Sequence, residues 1–161
     1  MFEHKDSLKN EMVVEDCEKL LEEALKDKTA SKGPVGCIGY CMSGPFVFSA
    51  AARINKRIRA TASIHGVDLL TESENSPHLH ANKINGEIYF GCAEKDEWVS
   101  DNMIELLDKH LAKIKINYRI ELYPGTNHGF VFPERIDKYD SVSAERHWYR
   151  ILSLFERNLK V

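Results

Sequence analysis

The chain carries no excess of either charge. Its 161 residues hold 22 lysines and arginines against 25 aspartates and glutamates, a net charge of −3, with no block of like charges. A nucleic-acid surface needs a basic stripe, so the composition argues against one. No apolar run approaches the length of a membrane span, which argues against a membrane protein. The opening residues Met1-Phe2-Glu3-His4-Lys5-Asp6 lack the apolar stretch of a secretory signal. The expectation is a cytoplasmic protein whose thiols stay reduced. Cysteine is sparse: Cys17, Cys37, Cys41 and Cys92. There is no Cys-x-x-Cys, no second close pair and no histidine at zinc-ligand spacing. That argues against a zinc site and against thiol redox chemistry. No metal and no cofactor are expected. Internal repeats and low-complexity segments are also absent.

What is present fits one globular domain over residues 1–161. The composition is 43% hydrophobic and 29% charged, enough apolar material for a core. Residues 1–10 read as polar and frayed. Val13, Val14, Cys17, Leu20, Leu21, Ala24 and Leu25 recur at helical spacing and predict an amphipathic helix over 11–27. Thr29-Ala30-Ser31-Lys32-Gly33-Pro34 breaks it. Strands are predicted at 35–39, 58–64, 87–92 and 118–123. Helices are predicted at 44–55, from Val99 to Ile114, and at 142–158. In the last, Ile151, Leu152, Leu154, Phe155 and Leu159 lie near one face. Residues 66–83 read as a long loop with one short helical piece, and 124–141 as a second loop. Strands alternating with helices imply an α/β fold with a mostly parallel sheet of about four strands and helices on both faces.

The sharpest local signal is Val35-Gly36-Cys37-Ile38-Gly39-Tyr40-Cys41-Met42-Ser43-Gly44. A short apolar run ends at Gly39, a small-residue turn carries Cys41, and a helix-compatible run follows. This is a thiol version of the Gly-x-Ser-x-Gly nucleophile turn. Residues two before and two after such a nucleophile must be small, because strand and helix pass closely there. Gly39 and Ser43 satisfy that. The turn also places Cys41 at a helix N-terminus, which favours a thiolate. A single cysteine beside glycines is more often a small buried residue, so the reading needs company.

That company stands at the other strand ends, where open α/β sheets gather their working groups. His65 follows the second strand, Glu94-Lys95-Asp96-Glu97 the third, and Gly125-Thr126-Asn127-His128-Gly129 the fourth. A thiol nucleophile needs a base and a group to orient that base. Cys41, Asp96 and His128 occur in the order nucleophile, acid, histidine that α/β hydrolases share. The expected roles are Cys41 as nucleophile, Asp96 as orienting acid, His128 as base and the N–H of Met42 as oxyanion donor. Tyr40, His65, Trp98, Phe130 and Phe132 are expected to line a pocket, with His65 read as pocket lining or a backbone-bonded histidine rather than a second base, since one suffices. Phe130 and Phe132 fit the core equally well. Cys17, Cys37 and Cys92 are expected to be inert core thiols.

Three segments together resemble the dienelactone hydrolase family. They are Gly39-Tyr40-Cys41-Met42-Ser43-Gly44, Gly91-Cys92-Ala93-Glu94-Lys95-Asp96-Glu97-Trp98-Val99 and Tyr123-Pro124-Gly125-Thr126-Asn127-His128-Gly129-Phe130. The resemblance runs from about residue 11 to the C-terminus. It implies an α/β-hydrolase fold, a Cys41-Asp96-His128 triad and hydrolysis of small-molecule esters or lactones through a thioacyl intermediate. Family members are longer at the N-terminus, so the sequence reads as lacking an N-terminal part that holds a second oxyanion donor, a glutamate and an arginine. Phe132 stands where the family's namesake has a carboxylate-binding arginine, which weighs against an anionic dienelactone. The alternative is a truncated, weak or inactive fragment acting as a binding or dimerising module. Its apolar edge strand would pair with a second copy or with a missing N-terminal segment.

Overall fold

The computed structural model describes residues 7–160; the expected frayed segment lies partly outside them. The first helix, α1 (Asn10–Ala24), precedes strand β1 (Val35–Tyr40). A 3-10 turn (Cys41–Ser43) leads into α2 (Gly44–Arg53), then β2 (Ile58–Ile64). A second 3-10 segment (Pro77–Lys83) supplies the short helical piece expected in the long loop. The chain continues through β3 (Glu87–Lys95), α3 (Met103–Ile114), β4 (Asn117–Asn127) and α4 (Ser141–Asn158). The four strands pair in parallel in the order β1-β2-β3-β4, so spatial order follows chain order. No helix among the described residues is long and apolar enough to cross a membrane.

Both faces of the sheet are covered, and the strands show it by alternation. On β3, Ile88, Phe90 and Cys92 face one core with α1, α2 and α3. Tyr89 and Ala93 face the other core, under α4. Successive strand side chains point to opposite faces, so one strand feeds both layers. Ala60 and Ala62 of β2 keep the α4 side shallow, which lets Ile151 and Leu154 pack fully buried. In α3, Met103, Leu107 and Leu111 form the buried stripe at four-residue spacing.

Several boundaries differ from expectation, each for a local reason. The helix expected from Val99 begins at Met103, because Asp96 first builds a turn: Oδ1 accepts the Trp98 N–H at 3.0 Å. Val99 packs against the core from that turn, which gave it a helical look. Strands β3 and β4 both run longer than predicted. The Gly125 N–H donates to Glu94 Oε2 at 2.7 Å and ties the extensions together. Pro124 is tolerated because β4 pairs only with β3, leaving one edge that needs no N–H. On α4, Leu152 is 62% exposed rather than packed. The buried stripe runs through Ala144, His147, Ile151 and Leu154, and Leu152 lies about 100° away from Ile151.

α4 is held by polar contacts at both ends and in the middle. The Asp140 carboxylate accepts the Ser143 N–H at 2.7 Å as an N-cap. Glu121 of β4, 7% exposed, takes Arg150 Nε at 2.9 Å, pairs with Arg146, and accepts the Tyr89 hydroxyl at 3.0 Å. Burial works against the charge of Glu121, yet Arg150 and Tyr89 hold its carboxyl below the usual range. A buried carboxylate is stable only with such partners, and breaking the pair costs about 3–5 kcal/mol. By contrast β1, at the opposite edge, pairs only with β2 and is half-buried except at Gly39.

Candidate active site

The sheet register brings the candidate residues together. Tyr40 lies beside Ile64, and Ile64 beside Gly91, so β1 and β2 reach one level and hand over to Cys41 and His65. β3 and β4 continue further, to the pair Lys95 and Asn127. The next residues are Asp96 and His128, and the His128 N–H donates to the Lys95 carbonyl at 3.1 Å. Two side chains 32 residues apart thereby become neighbours: His128 Nδ1 lies 2.8 Å from Asp96 Oδ2.

The turn at Cys41 is strained. Its φ is +52°, the left-handed region that non-glycine residues seldom adopt. A Cβ on Gly39 would lie 2.3 Å from the Ser43 carbonyl oxygen, so only glycine fits where strand meets turn. The Ser43 hydroxyl fastens the bend from within. It accepts the Tyr40 N–H at 2.7 Å and donates to the Tyr40 carbonyl at 2.8 Å. The Val67 N–H donates to the Cys41 carbonyl at 3.3 Å, which anchors the turn to the segment after β2.

His128 is 3% exposed. Burial alone pushes an imidazole toward neutrality, but hydrogen bonds and charge from Asp96 and Cys41 raise its pKa to about 9. With Nδ1 on Asp96, the nitrogen left for Cys41 is Nε2. The other thiols are of a different kind. Burial pushes Cys37 up to about 11, although Thr61 Oγ1 lies 3.4 Å from its sulfur, and pushes Cys92 up to about 12. Cys17 is raised as well, by burial and by Asp16. Cys17 and Cys37 are half-buried rather than fully enclosed, since α1 and β1 border the open side of the sheet.

The aromatic residues expected to line a pocket do not share one surface. Trp98 is 55% exposed; the Asp96 turn fixes its backbone and leaves the indole in solvent. Phe130 is fully buried and stacks on Tyr123 at 4.8 Å, so it belongs to the core beneath α4. His65 is 1% exposed and sits under the site, not on a pocket wall. Tyr40 and Phe132 are half-buried and touch each other at 5.5 Å. An open cavity lies elsewhere, beside Met42. It measures about 480 Å³ and is bounded by Met42, Pro45 and Phe46, by Val67, Asp68 and Thr71, and by Leu8, Lys9 and Asn10. Sequence reasoning missed the walls outside the turn and α2, because loop residues after β2 and the segment leading into α1 carry no periodic signal. The one clue was Met42 itself.

A parallel sheet with a strained strand–turn–helix at one strand end, and an acid and a histidine at later strand ends, is the architecture of an α/β hydrolase. The sequence profile of the dienelactone hydrolase family matches residues 1–159, and the chain belongs to that family. It is 28% identical over 161 residues to a Synechocystis protein provisionally named a carboxymethylenebutenolidase, covering 97% of this chain and 63% of that protein. It is 24% identical over 157 residues to the carboxymethylenebutenolidase of Rhodococcus opacus, covering 96% and 60% respectively. A crystal structure from Klebsiella pneumoniae, provisionally named a dienelactone hydrolase, superposes with a TM-score of 0.84 at 22% identity, covering 94% of this chain and 63% of that one. The chain thus spans about 60% of the length of these relatives.

Proposed function

We propose that the protein hydrolyses small-molecule esters or lactones with Cys41 as nucleophile, His128 as base and Asp96 as orienting acid. The observation that carries this reading is the imidazole of His128, which bonds the Asp96 carboxylate through Nδ1 and interacts with the Cys41 thiol. A raised imidazole pKa beside a thiol favours transfer of the thiol proton to nitrogen. The thiolate sulfur attacks the substrate carbonyl carbon, and the carbonyl π electrons move to oxygen. The Met42 N–H, the first after the nucleophile, stabilises that oxyanion. The tetrahedral intermediate collapses, the C–O bond breaks, and imidazolium Nε2–H protonates the departing alkoxide. A water molecule then gives its proton to His128 as it adds to the thioester, and the acid leaves as the thiol regains its proton. The cavity beside Met42 is the natural seat for the substrate's acyl or alcohol portion.

Hydrolysis of a generic aryl ester by wild type and Cys41→Ala tests the reading. We expect the variant to lose roughly a thousandfold or more in kcat, the scale seen when one member of a catalytic triad is removed. Iodoacetamide should label Cys41 at mildly acidic pH before the three other thiols. Full activity in Cys41→Ala, or equal and slow labelling of all four cysteines, would overturn it. The non-catalytic alternative has less support, because it gives no reason for a strained thiol facing a charged imidazole.

A further inference from the structure

His65 follows β2 directly and has no assigned task. Its φ is +38°, and its N–H donates to the Gly91 carbonyl at 2.6 Å. The ring is closed in by Tyr40 at 6.0 Å, Phe132 at 5.6 Å, Phe130 at 6.0 Å and His128 at 4.6 Å, the last at an interplanar angle of 61°. Neither ring nitrogen has a hydrogen-bond partner, although both are buried. A phenylalanine would fill the same aromatic cage without two unsatisfied nitrogens. Buried polar atoms left unpaired in a native core call for a functional explanation.

We propose that His65 is a positioning residue for His128: a neutral polar ring that steadies the imidazole and favours its charged form. The inference rests on the hydrolase reading above. Asp96 and Cys41 engage the two nitrogens of His128, and His65 lies against its flank, where water is excluded. Because no other group holds its nitrogens, the dipole of the His65 ring is available to an imidazolium beside it. In a water-excluded site such a dipole acts strongly. The ring also stays uncharged. Burial and the charge of His128 push its pKa down to about 3, against an interaction with its own backbone and the charge of Asp96; Arg135 acts with burial. Tyr40 adds no charge, since burial raises its phenol and its hydroxyl lies 3.3 Å from His147 Nε2. His65 therefore offers polarity without a competing positive charge.

The test compares full-length wild type with His65→Phe, which keeps an aromatic ring, and His65→Gln, which keeps polarity. Two readouts are followed against pH: the NMR titration of His128, and the rate of Cys41 alkylation by iodoacetamide. We expect the His128 midpoint to fall by about half a pH unit or more in His65→Phe, and by less than half that shift in His65→Gln. The kcat for an aryl ester should fall about threefold or more in His65→Phe with KM unchanged. An unmoved midpoint in His65→Phe, or an equal shift in both variants, would overturn the inference and leave His65 a spacer. If Phe is not accommodated, as judged by thermal unfolding, His65→Leu replaces it with the same expectations. The titration needs no turnover. A shift in a wild-type background that hydrolyses no ester would keep the coupling and remove the hydrolase reading; hydrolysis without a shift would do the reverse.

Discussion

Two imidazoles lie 4.6 Å apart at the ends of β2 and β4, and they have opposite characters. His65 is 1% exposed and His128 is 3% exposed, so burial does not distinguish them. Yet one pKa is pushed down to about 3 and the other up to about 9. The difference lies in what each ring touches. His65 is surrounded by aromatic faces and by another imidazole, and burial decides its charge. His128 meets a carboxylate and a thiol, which outweigh the same burial. A histidine's chemistry in this protein is set by its partners, and the sheet register chooses the partners.

The comparison breaks most completely in Asp96→Asn. Without the carboxylate only Cys41 is left to oppose burial at His128, and the imidazole midpoint should fall. Ester hydrolysis should drop by about ten-thousandfold, the scale found when an orienting acid loses its charge. NMR titration and kcat measure the two effects. An unchanged His128 midpoint would mean that the carboxylate is not the deciding partner.

A smaller but still large effect is expected at the turn that brings Cys41 to His128. Gly39→Ala forces a Cβ to within 2.3 Å of the Ser43 carbonyl oxygen. Overpacking at backbone should cost about 3 kcal/mol or more, read as a lowered denaturation midpoint. A variant as stable as wild type would show that the bend can open without loss.

Stability against pH sharpens the contrast, because the two rings limit opposite sides. His65 has a folded pKa of about 3 against an ordinary value of 6.5, so the unfolded chain binds its proton first. Its contribution is intact above pH 6.5 and is lost as pH falls toward 3. His128 has a folded pKa of about 9, so the folded state holds the proton longer. Its contribution is complete below 6.5 and is lost as pH rises through 9. Thermal unfolding midpoints should therefore decline on both sides of roughly pH 6.5, and His65→Phe should flatten the acid side and, through its lowered His128 midpoint, soften the alkaline one. The smallest effect is expected for Trp98→Ala. The backbone N–H that bonds Asp96 remains, and the indole is already in solvent. Hydrolysis should change less than about twofold, in line with surface substitutions away from such features.

Much of the fold was legible because it depends on nearby residues. Strand and helix alternate as the hydrophobic period predicts, and β2 was read with its observed bounds. The small residues at 39 and 43 announced a sharp turn, and the turn is strained at Cys41. Strand ends at β3 and β4 were misjudged, since each extension is stabilised by the other strand and by the Glu94 contact to Gly125. The pocket was less legible for a similar reason. Phe130 took the core place that its sequence allowed equally, and Trp98 is solvent-exposed, while most of the cavity walls outside the turn and α2 come from segments without periodicity.

The sequence by itself determined the order of elements, the strained cysteine turn and the placement of an acid and a histidine just past their strands. Those features follow from sterics and side-chain period over a few residues. Only the tertiary structure decided that Asp96 meets Nδ1 of a histidine 32 residues away, that His65 is enclosed with no partner for its nitrogens, and that two like rings carry opposite charge preferences. Those depend on strand register and on burial, which exist only once distant segments share one sheet.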